Sequence, residues 1–277
     1  MWQDEAAVYQ PLFTAFGPKA LEHRLVAGEA SLLVAHADQA GKLAEVHGAP
    51  ACLLLDAGPA AEDDFWRALE ERPSTFAPVP RGPDAPFMMM FTSGTTGLPK
   101  ALLVPLRALP AFAAYLRHAV ELRDDDVLWN IADPGWAYGL YYGIAGPLLL
   151  GHAITLHEGP FTVESCYRTL ATLGVTNLMG SPTAFRMLMA GGDAEAAAAK
   201  GRLRAVSSAG EPLNPEVIRW FADRLGTVIH DHYGQTETGM TVCNHHGLRH
   251  PVRPGSAGFA LPGYTVAVLG DDGTPLP

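Results

Sequence analysis

Short apolar runs alternate with helical patterns along nearly the whole chain. In the first part, the apolar runs at 31–35 and 51–55 lie among helical patterns at 20–26, 38–46 and 63–71. This alternation is typical of βαβ units, in which a helix connects two parallel strands. The pattern therefore predicts an α/β fold of mostly parallel sheets packed with helices.

The same alternation resumes in the second part of the chain. The strand candidates there are residues 127–131, 153–156, 176–179, 203–207 and 228–230. Two of the intervening helices have clear start signals: Thr162 can cap a helix that ends at Gly174, and Asn214-Pro215 supplies a cap and a first-turn proline. Residues 191–201 predict either a short surface helix or a mobile loop.

Prolines and turn residues suggest how the chain is divided. Residues 73–86 hold five prolines and one glycine, which predicts an extended connection. We expect an α/β subdomain at 1–80, incomplete at its N-terminus, and an α/β core at 81–255. The start of a β-rich segment follows at 256–277. It consists of a strand at 264–269, a turn at 270–273 and a returning strand that is cut short, so a longer reading frame is expected.

Charge and cysteine content exclude several classes of partner. Acidic residues outnumber basic ones by 29 to 19, and no run of Lys or Arg occurs, so neither nucleic acid nor an anionic membrane is an expected partner. The three cysteines form no CxxC pair, which favours a reducing, cytoplasmic location.

The longest apolar stretch, 141–150, is too short to span a bilayer. Five histidines between residues 230 and 250 fit no standard zinc spacing. The oligomeric state is not readable from these residues.

A loop rich in glycine and threonine follows the apolar strand candidate at 86–91. It reads Thr92-Ser93-Gly94-Thr95-Thr96-Gly97-Leu98-Pro99-Lys100. Glycines let the backbone approach a phosphate, hydroxyls add donors, and the lysine adds a positive charge. The spacing differs from a Walker A motif, which disfavours a P-loop NTPase. By composition alone, an ordinary surface turn remains an alternative.

The full loop resembles the signature loop of the adenylate-forming (ANL) superfamily, which includes acyl-CoA synthetases, luciferases and peptide-synthetase adenylation domains. Ala101 departs from the family pattern, which usually has glycine there. The resemblance implies that the loop binds the phosphates of ATP. The residues concerned are Thr92, Ser93, Gly94, Thr95, Thr96, Gly97 and Lys100.

Two later segments resemble other motifs of the same superfamily. Gly210-Glu211-Pro212 resembles the segment that lines the adenine pocket, although a plain strand-to-helix turn is an alternative. The second segment, which resembles the Tyr-Gly-Gln-Thr-Glu motif, is Asp231-His232-Tyr233-Gly234-Gln235-Thr236-Glu237. By resemblance, Tyr233 stacks on adenine, Thr236 donates to the α-phosphate, and Glu237 ligates Mg²⁺. The implied catalytic set is Lys100, Thr236 and Glu237, and the stretch from Asp231 to Thr236 is implied to bind nucleotide. Gly255 to Tyr264 resembles a further family motif that we expect to be structural.

The acyl group has its own candidate segment. Residues 133–140 resemble the acyl-CoA synthetase version of the carboxylate pocket, with Trp136, Ala137, Tyr138 and Gly139 as substrate-binding candidates. No aspartate stands where amino-acid-activating relatives pair an α-amine, so an uncharged acid is favoured. The alternative is that Trp136 and Tyr138 are aromatic residues of the hydrophobic core and do not bind substrate. Gly234 stands where the acetate-specific branch has tryptophan, which favours short- to medium-chain acids.

The resemblance implies an AMP-forming acyl-CoA synthetase that uses ATP, Mg²⁺ and coenzyme A. It also implies that the α/β core at 81–255 is the nucleotide- and acyl-binding core. Family members are roughly twice as long as this chain. The ribose-binding aspartate, the hinge and the C-terminal domain with its catalytic lysine are expected beyond Pro277. We therefore expect the chain alone to have little or no activity. An aryl-CoA ligase and a catalytically incompetent nucleotide-binding fragment are the alternatives.

Overall fold

The computed structural model describes residues 7–58, 60–92 and 97–276. The chain forms two compact units, Met1–Arg107 and Ala108–Pro277. The division between these two compact units, after Arg107, lies beyond the proline-rich stretch 73–86. The strand that follows the prolines is hydrogen-bonded to the N-terminal segment, which places it in the first unit. The N–H of Tyr9 donates to Phe87 O, and the N–H of Met89 donates to Tyr9 O. The functional division at residues 80 and 255 stays a prediction.

The first unit combines a βαβ-like pair with a β-hairpin. Its elements are α1 (Pro18–Ala27), β1 (Leu32–His36), α2 (Ala40–Leu43), β2 (Ala51–Leu55), α3 (Phe65–Glu70), β3 (Pro86–Thr92) and β4 (Lys100–Pro105). β1 and β2 pair in parallel from Leu32↔Ala51 to His36↔Leu55, as the alternation predicts. The helix predicted at 38–46 is shorter, because a 3₁₀ turn at Ala37–Gln39 precedes α2.

Only the first strand of the hairpin in the first unit was predicted. β3 was expected, whereas β4 was not, and the two strands pair antiparallel up to Thr92↔Lys100. The glycine-rich loop therefore connects two strands of a hairpin. Since β4 begins at the lysine itself, sequence reasoning that treated the lysine as the end of a loop missed the strand.

The second unit is built on a six-stranded sheet in the order β10-β9-β8-β7-β6-β5. Its strands are β5 (Leu128–Asn130), β6 (Asn177–Gly180), β7 (Ala205–Ser208), β8 (Ile229–Gln235), β9 (Gly239–Cys243) and β10 (Phe259–Ala260). Neighbours from β5 to β8 are parallel, while β9 pairs antiparallel with both β8 and β10. Every residue of β6 and β7 is buried, which places the core at the centre of this sheet.

Helices surround the sheet of the second unit. They are α4 (Leu109–Ala114), α5 (Ala137–Leu140), α6 (Gly146–Leu149), α7 (Val163–Leu173), α8 (Pro182–Ala190), α9 (Asp193–Ala199) and α10 (Pro215–Trp220). π-Helical turns continue α4, α5 and α10 at Tyr115–Ala119, Tyr141–Ala145 and Phe221–Leu225.

The predicted helix ends of the second unit are confirmed. Thr162 and Ser165 form a reciprocal capping box at the start of α7, and Gly174 ends it with a left-handed backbone at φ 65°. The Asn214 side chain accepts from the N–H of Glu216 at the start of α10. The stretch 191–201 contains α9, whose Ala196 is fully buried, so this helix packs against the core and is not a mobile loop.

Two predicted strands are wrong. Residues 153–156 form no strand, and Thr155 makes only an isolated bridge to Trp129. Residues 264–269 also form no strand, although the turn at 270–273 brings Leu269 opposite Pro275 in an isolated bridge. Apolar composition predicted both, but no neighbouring strand pairs with them over their length.

In the described part of the chain, no helix combines the length and the apolar character needed to cross a membrane.

Candidate active site

The carboxyl ends of β5 to β8 meet at one edge of the second unit's sheet, because these strands are parallel. Ligands of open α/β sheets bind at this edge. Three segments singled out from the sequence follow strands there: residues 133–140 follow β5, Gly210–Pro212 follows β7, and Asp231–Glu237 covers the last part of β8 and the turn beyond it. The topology therefore places all three on the same edge.

The Tyr-Gly-Gln-Thr-Glu segment forms the tip of the β8–β9 hairpin. Tyr233, Gly234 and Gln235 are the last residues of β8, and Thr236 and Glu237 begin the turn. The Tyr233 side chain is 53% exposed, Glu237 is exposed, and Thr236 is half-buried. The hairpin therefore presents an aromatic face, a hydroxyl and a carboxylate from one short turn.

Gly234 is required by the close approach of β9. A Cβ at this position would lie 2.3 Å from Gly239 O and 2.7 Å from Met240 Cα. The space beside the glycine is therefore filled by backbone. The expectation that Gly234 leaves an open volume for longer acyl chains finds no support in this geometry.

Asp231 carries a buried carboxyl oxygen, Oδ1, with no hydrogen-bond partner among the described residues. Burial raises the pKa of this carboxyl to about 6, although the backbone N–H groups of His232 and Leu213 act in the opposite direction. A buried polar atom without a partner is a position that a ligand's polar group can fill. Asp231 therefore stays a candidate nucleotide contact.

The His232 side chain points into the protein. Its Nε2 lies 3.0 Å from Asn244 O, and its Nδ1 lies 2.7 Å from the Tyr115 hydroxyl. Since a carbonyl oxygen only accepts, Nε2 carries the hydrogen and Nδ1 accepts from Tyr115. Burial lowers the pKa of His232 to about 3, so the ring is neutral at physiological pH. Both nitrogens are occupied, which limits any nucleotide contact by His232 to its backbone.

The carboxylate of Glu211 is held by α8. Thr183 Oγ1 donates to it at 2.8 Å, and Arg186 Nη2 donates at 3.1 Å. Gly210 adopts φ 100° immediately before it, a conformation that favours glycine. Gly210, Glu211 and Pro212 are all exposed, so their backbone is accessible along the sheet edge.

The segment after β5 folds back on itself. Asp133 Oδ1 accepts from the N–H of Gly135 at 2.7 Å, so this carboxylate is engaged in a local turn. Asn130 Nδ2 donates to Tyr138 O at 2.9 Å and fixes the first turn of α5. Trp136 is 47% exposed, which is inconsistent with a core aromatic.

Ala137, Tyr138 and Gly139 form the first turn of α5. Ala137 and Tyr138 are half-buried, and the Tyr138 hydroxyl lies 3.4 Å from that of Tyr115. Gly139 is buried, and a Cβ there would lie 2.3 Å from Asp133 O. Its role is therefore to let the segment fold back closely.

The glycine-rich loop belongs to the first unit. Ser93, Gly94, Thr95 and Thr96 lie outside the described residues. Thr92 and Lys100 are paired at the base of the hairpin, and Lys100 is exposed. Gly97 has φ 130°, which favours glycine. The described part of the loop thus supplies one accessible cation beside a backbone turn.

The hairpin tip fits the needs of Mg²⁺. This ion is commonly held by one or two carboxylates together with substrate phosphates and waters. Glu237 supplies an exposed carboxylate, and the adjacent Thr236 supplies a hydroxyl. Within the described ranges, no three His, Cys, Asp or Glu side chains converge as a metal site, and His230 and His246 stack with ring centroids 3.7 Å apart.

Comparison with known proteins decides the family. The sequence model of the AMP-binding enzyme family matches residues 6–277. The chain belongs to the AMP-binding enzyme family. The resemblance to adenylate-forming enzymes inferred from the motifs is thereby confirmed.

Relatives of this AMP-binding enzyme include acyl- and acetyl-CoA synthetases. The crystal structure of an acyl-CoA synthetase from Brucella canis is 58% identical, with a TM-score of 0.91, over 98% of this chain and 50% of that chain. An acetyl-coenzyme A synthetase from Bacillus subtilis (strain 168) is 42% identical over 69% of this chain and 33% of its own length. A 4-hydroxybutyrate–CoA ligase 1 from Metallosphaera sedula is 36% identical over 76% of this chain and 37% of its own. The chain thus spans about a third of these curated relatives.

Sequence reasoning missed the buried polar residues that support the site in this AMP-binding enzyme. Asn244 Nδ2 donates to Asp231 O at 2.9 Å and to Ser256 O at 2.6 Å. Tyr115 donates to His232, and Asn130 holds α5. Tyr115 lies 117 residues from His232, whereas Asn244 lies 13 residues from Asp231 and Asn130 lies 8 from Tyr138. No local pattern distinguishes any of the three from an ordinary polar residue.

Proposed function

We propose that the protein activates a carboxylic acid with ATP, releases pyrophosphate, and transfers the acyl group from acyl-AMP to coenzyme A. The observation that carries the proposal is the β8–β9 hairpin tip, where Tyr233, Thr236 and Glu237 are presented together at the ligand-binding edge of the sheet. The family match and the similarity to acyl-CoA synthetases support it.

The chemistry explains why these residue types are needed. A carboxylate is a poor electrophile, so its oxygen attacks the α-phosphorus of ATP, and the bond to pyrophosphate breaks. Negative charge builds on the phosphoryl oxygens, and Thr236 stabilises it by donating a hydrogen bond. Glu237 would hold Mg²⁺, which supplies charge neutralisation at the phosphates. The thiol of coenzyme A then attacks the acyl carbon, and AMP leaves.

We propose that loop residues Thr92 to Lys100 bind phosphate oxygens of ATP. Lys100 supplies a full positive charge that is accessible to solvent. Gly97 supplies a backbone conformation that lets main-chain N–H groups turn toward an anion.

The acid is proposed to carry no charge besides its carboxylate and to be short to medium in length. The first part is supported by the segment 133–140, in which the carboxylate of Asp133 accepts a hydrogen bond from the N–H of Gly135 in a local turn. The relative named 4-hydroxybutyrate–CoA ligase 1 supports the second part, since its name gives a four-carbon acid. Gly234 does not decide the length, because β9 fills the space beside it.

We propose a reducing, cytoplasmic location because of the state of the cysteines. Cys52, Cys166 and Cys243 are all free thiols, and burial raises the pKa of Cys166 to about 12, which keeps it protonated.

ATP–pyrophosphate exchange tests the proposal. The assay uses the protein expressed from its complete reading frame, with straight-chain acids from two to ten carbons and with benzoate. E237Q is expected to lower exchange by about 100-fold, while the exposed Glu216→Gln on α10 leaves it unchanged. Tight ATP binding without exchange for any acid would leave only a nucleotide-binding protein. A preference for benzoate would instead identify an aryl-CoA ligase, and one for acetate would contradict the proposed length.

A further inference from the structure

Tyrosine hydroxyls from outside the β8–β9 hairpin bond to the backbone of its turn. The Tyr264 hydroxyl donates to Thr238 O at 2.7 Å, and the N–H of Met240 donates to the Tyr142 hydroxyl at 2.9 Å. A third hydroxyl, that of Tyr141, lies 3.4 Å from Thr236 O. We call Tyr141, Tyr142 and Tyr264 the tyrosine clamp.

Two members of the clamp, Tyr141 and Tyr142, are held in place by burial and by packing of their rings. Tyr141 and Tyr142 are buried in the π-helical turn that continues α5, and π-helical turns are frequent at functional sites. The Tyr141 ring stacks on Phe112 with centroids 4.4 Å apart, and the Tyr142 ring packs against Tyr115 at the same separation. Packing on both rings restricts where their hydroxyls can point.

The third member comes from a different part of the second unit. Tyr264 ends the Gly255–Tyr264 segment, which had been expected to be structural only. The N–H of Leu261 donates to Thr241 O at 2.8 Å, so this segment is fastened to β9 before it reaches Tyr264. The clamp therefore holds the turn from two elements that are separate in sequence.

The turn's internal support is local: Thr238 Oγ1 donates to Gly239 O at 3.0 Å. Its N–H at Thr238 donates to Gln235 O at 3.3 Å, a long bond, and Gly239 adopts φ 68°. The pairing of β8 with β9 is also irregular between Tyr233 and Gly234. A turn of this kind moves easily unless its carbonyl and N–H groups are held from outside.

The clamp reaches the functional residues directly. Tyr141 contacts the carbonyl of Thr236, the residue before Glu237 in the chain. Fixing the backbone on both sides of Glu237 limits where its carboxylate can lie.

We propose that Tyr141, Tyr142 and Tyr264 are positioning residues. They hold residues 236–240, which are the β8–β9 turn and the first two residues of β9, in the geometry required to present the Thr236 hydroxyl and the Glu237 carboxylate. The proposal rests on the proposed function, in which these two groups act on the α-phosphate and on Mg²⁺. It assigns the Gly255–Tyr264 segment a part in the active site, because its last residue closes the clamp.

The test compares Tyr-to-Phe substitutions that remove only a hydroxyl. Y142F and Y264F remove clamp bonds, whereas Y167F is the matched control: the Tyr167 ring is buried in the same unit, and its hydroxyl has no hydrogen-bond partner in the described part of the chain. Amide hydrogen exchange of peptides covering 236–243 is measured without nucleotide or metal. ATP–pyrophosphate exchange is then titrated with Mg²⁺ and with the acid.

Y142F and Y264F are expected to speed amide exchange in 236–243 by about 3- to 10-fold, the equivalent of one net hydrogen bond. The half-saturating Mg²⁺ concentration is expected to rise by a similar factor, with the KM for the acid changed less than about 2-fold. Y167F is expected to change neither.

Unchanged exchange in 236–243, or an equal change in Y167F, would overturn the clamp. A shift in the KM for the acid as large as that for Mg²⁺ would show a general structural effect and would also overturn it. If the wild-type protein supports no pyrophosphate exchange with any acid, the proposed function fails, while the amide exchange measured without ligands still decides whether the clamp holds the turn.

Discussion

The backbone of Gly239 approaches Gly234 so closely across the β8–β9 hairpin that no side chain fits at Gly234. A Cβ on Gly234 would lie 2.3 Å from the carbonyl oxygen of Gly239. The obstacle is backbone, which cannot rotate away as the end of a side chain can. The hairpin that carries Thr236 and Glu237 therefore depends on glycine at this position.

Replacing Gly234 with alanine is expected to lower the free energy of unfolding by about 1–3 kcal/mol, because the added methyl group forces β9 away from β8. Chemical denaturation measures the change. Gly247→Ala is the matched control in the same unit, since its Cβ would lie 3.6 Å from the nearest atom, an ordinary contact. Equal stability of the two variants would show that the hairpin tolerates a Cβ at Gly234.

Asp231→Asn is expected to change how stability depends on pH. Burial raises the pKa of Asp231 from 3.8 to about 6, so ionisation of this carboxyl opposes folding. Its contribution is fully present below about pH 4 and is lost as the pH rises through 6. Asparagine cannot ionise and avoids this loss.

Denaturation from pH 4 to pH 8 measures the effect as the difference between D231N and wild type. The variant's advantage is expected to grow between about pH 4 and pH 6 and to be constant above about pH 7. The buried histidines, whose pKa values are lowered, contribute equally to both proteins and cancel in the difference. A difference that is flat across this range would show that Asp231 has an ordinary pKa.

Arg204→Met is expected to destabilise the second unit strongly. Arg204 Nε donates to Asp126 Oδ1 at 3.0 Å, its Nη1 lies 3.1 Å from Glu121 Oε2, and the Asp126 side chain is only 2% exposed. Removing the guanidinium leaves a buried carboxylate without its cation, which costs about 3–5 kcal/mol. R168M, which breaks an exposed ion pair with Glu164 on α7, is expected to cost less than about 1 kcal/mol.

The cost of R204M is also expected to depend on pH. Burial by itself raises the pKa of Asp126, but hydrogen bonds from Arg204, the Arg123 backbone, Thr176 and Asn177 outweigh it and lower the pKa to about 2. The stability from this carboxylate is present above its ordinary pKa of 3.8 and is lost as the pH falls through 2. The destabilisation by R204M should therefore be smaller at pH 3 than at pH 7, and the opposite order would contradict this assignment.

His23→Ala is expected to loosen the end of the glycine-rich loop. His23 Nε2 donates to Pro99 O at 2.8 Å, immediately before Lys100. Loss of this bond should speed amide exchange in 97–103 and weaken ATP binding by about 3- to 10-fold, measured by calorimetric titration. His47→Ala, an exposed histidine of the same unit, is the control. Equal ATP affinity of the two variants would show that the hydrogen bond from His23 to Pro99 O does not contribute to ATP binding.

Local signals account for the elements that were predicted correctly. The capping box at Thr162, the left-handed Gly174 and the Asn214 cap each depend on a few neighbouring residues, so they are readable without a partner. The motif from Asp231 to Glu237 identified the family for the same reason: its residues are contiguous. The strands predicted at 153–156 and 264–269 failed because a strand requires a neighbour, which composition does not reveal.

By itself, the sequence determined the α/β class, the family and the identity of the residues at the hairpin tip. Only the tertiary structure decided that β9 leaves no space beside Gly234, that His232 turns inward, and that Tyr142 bonds to Met240, 98 residues away. Helix caps and sequence motifs are properties of short stretches of the chain. The close approach of β9 to Gly234, the tautomer of His232 and the bond from Met240 to Tyr142 depend instead on which distant part of the chain lies opposite. The support of the site is therefore a property of packing.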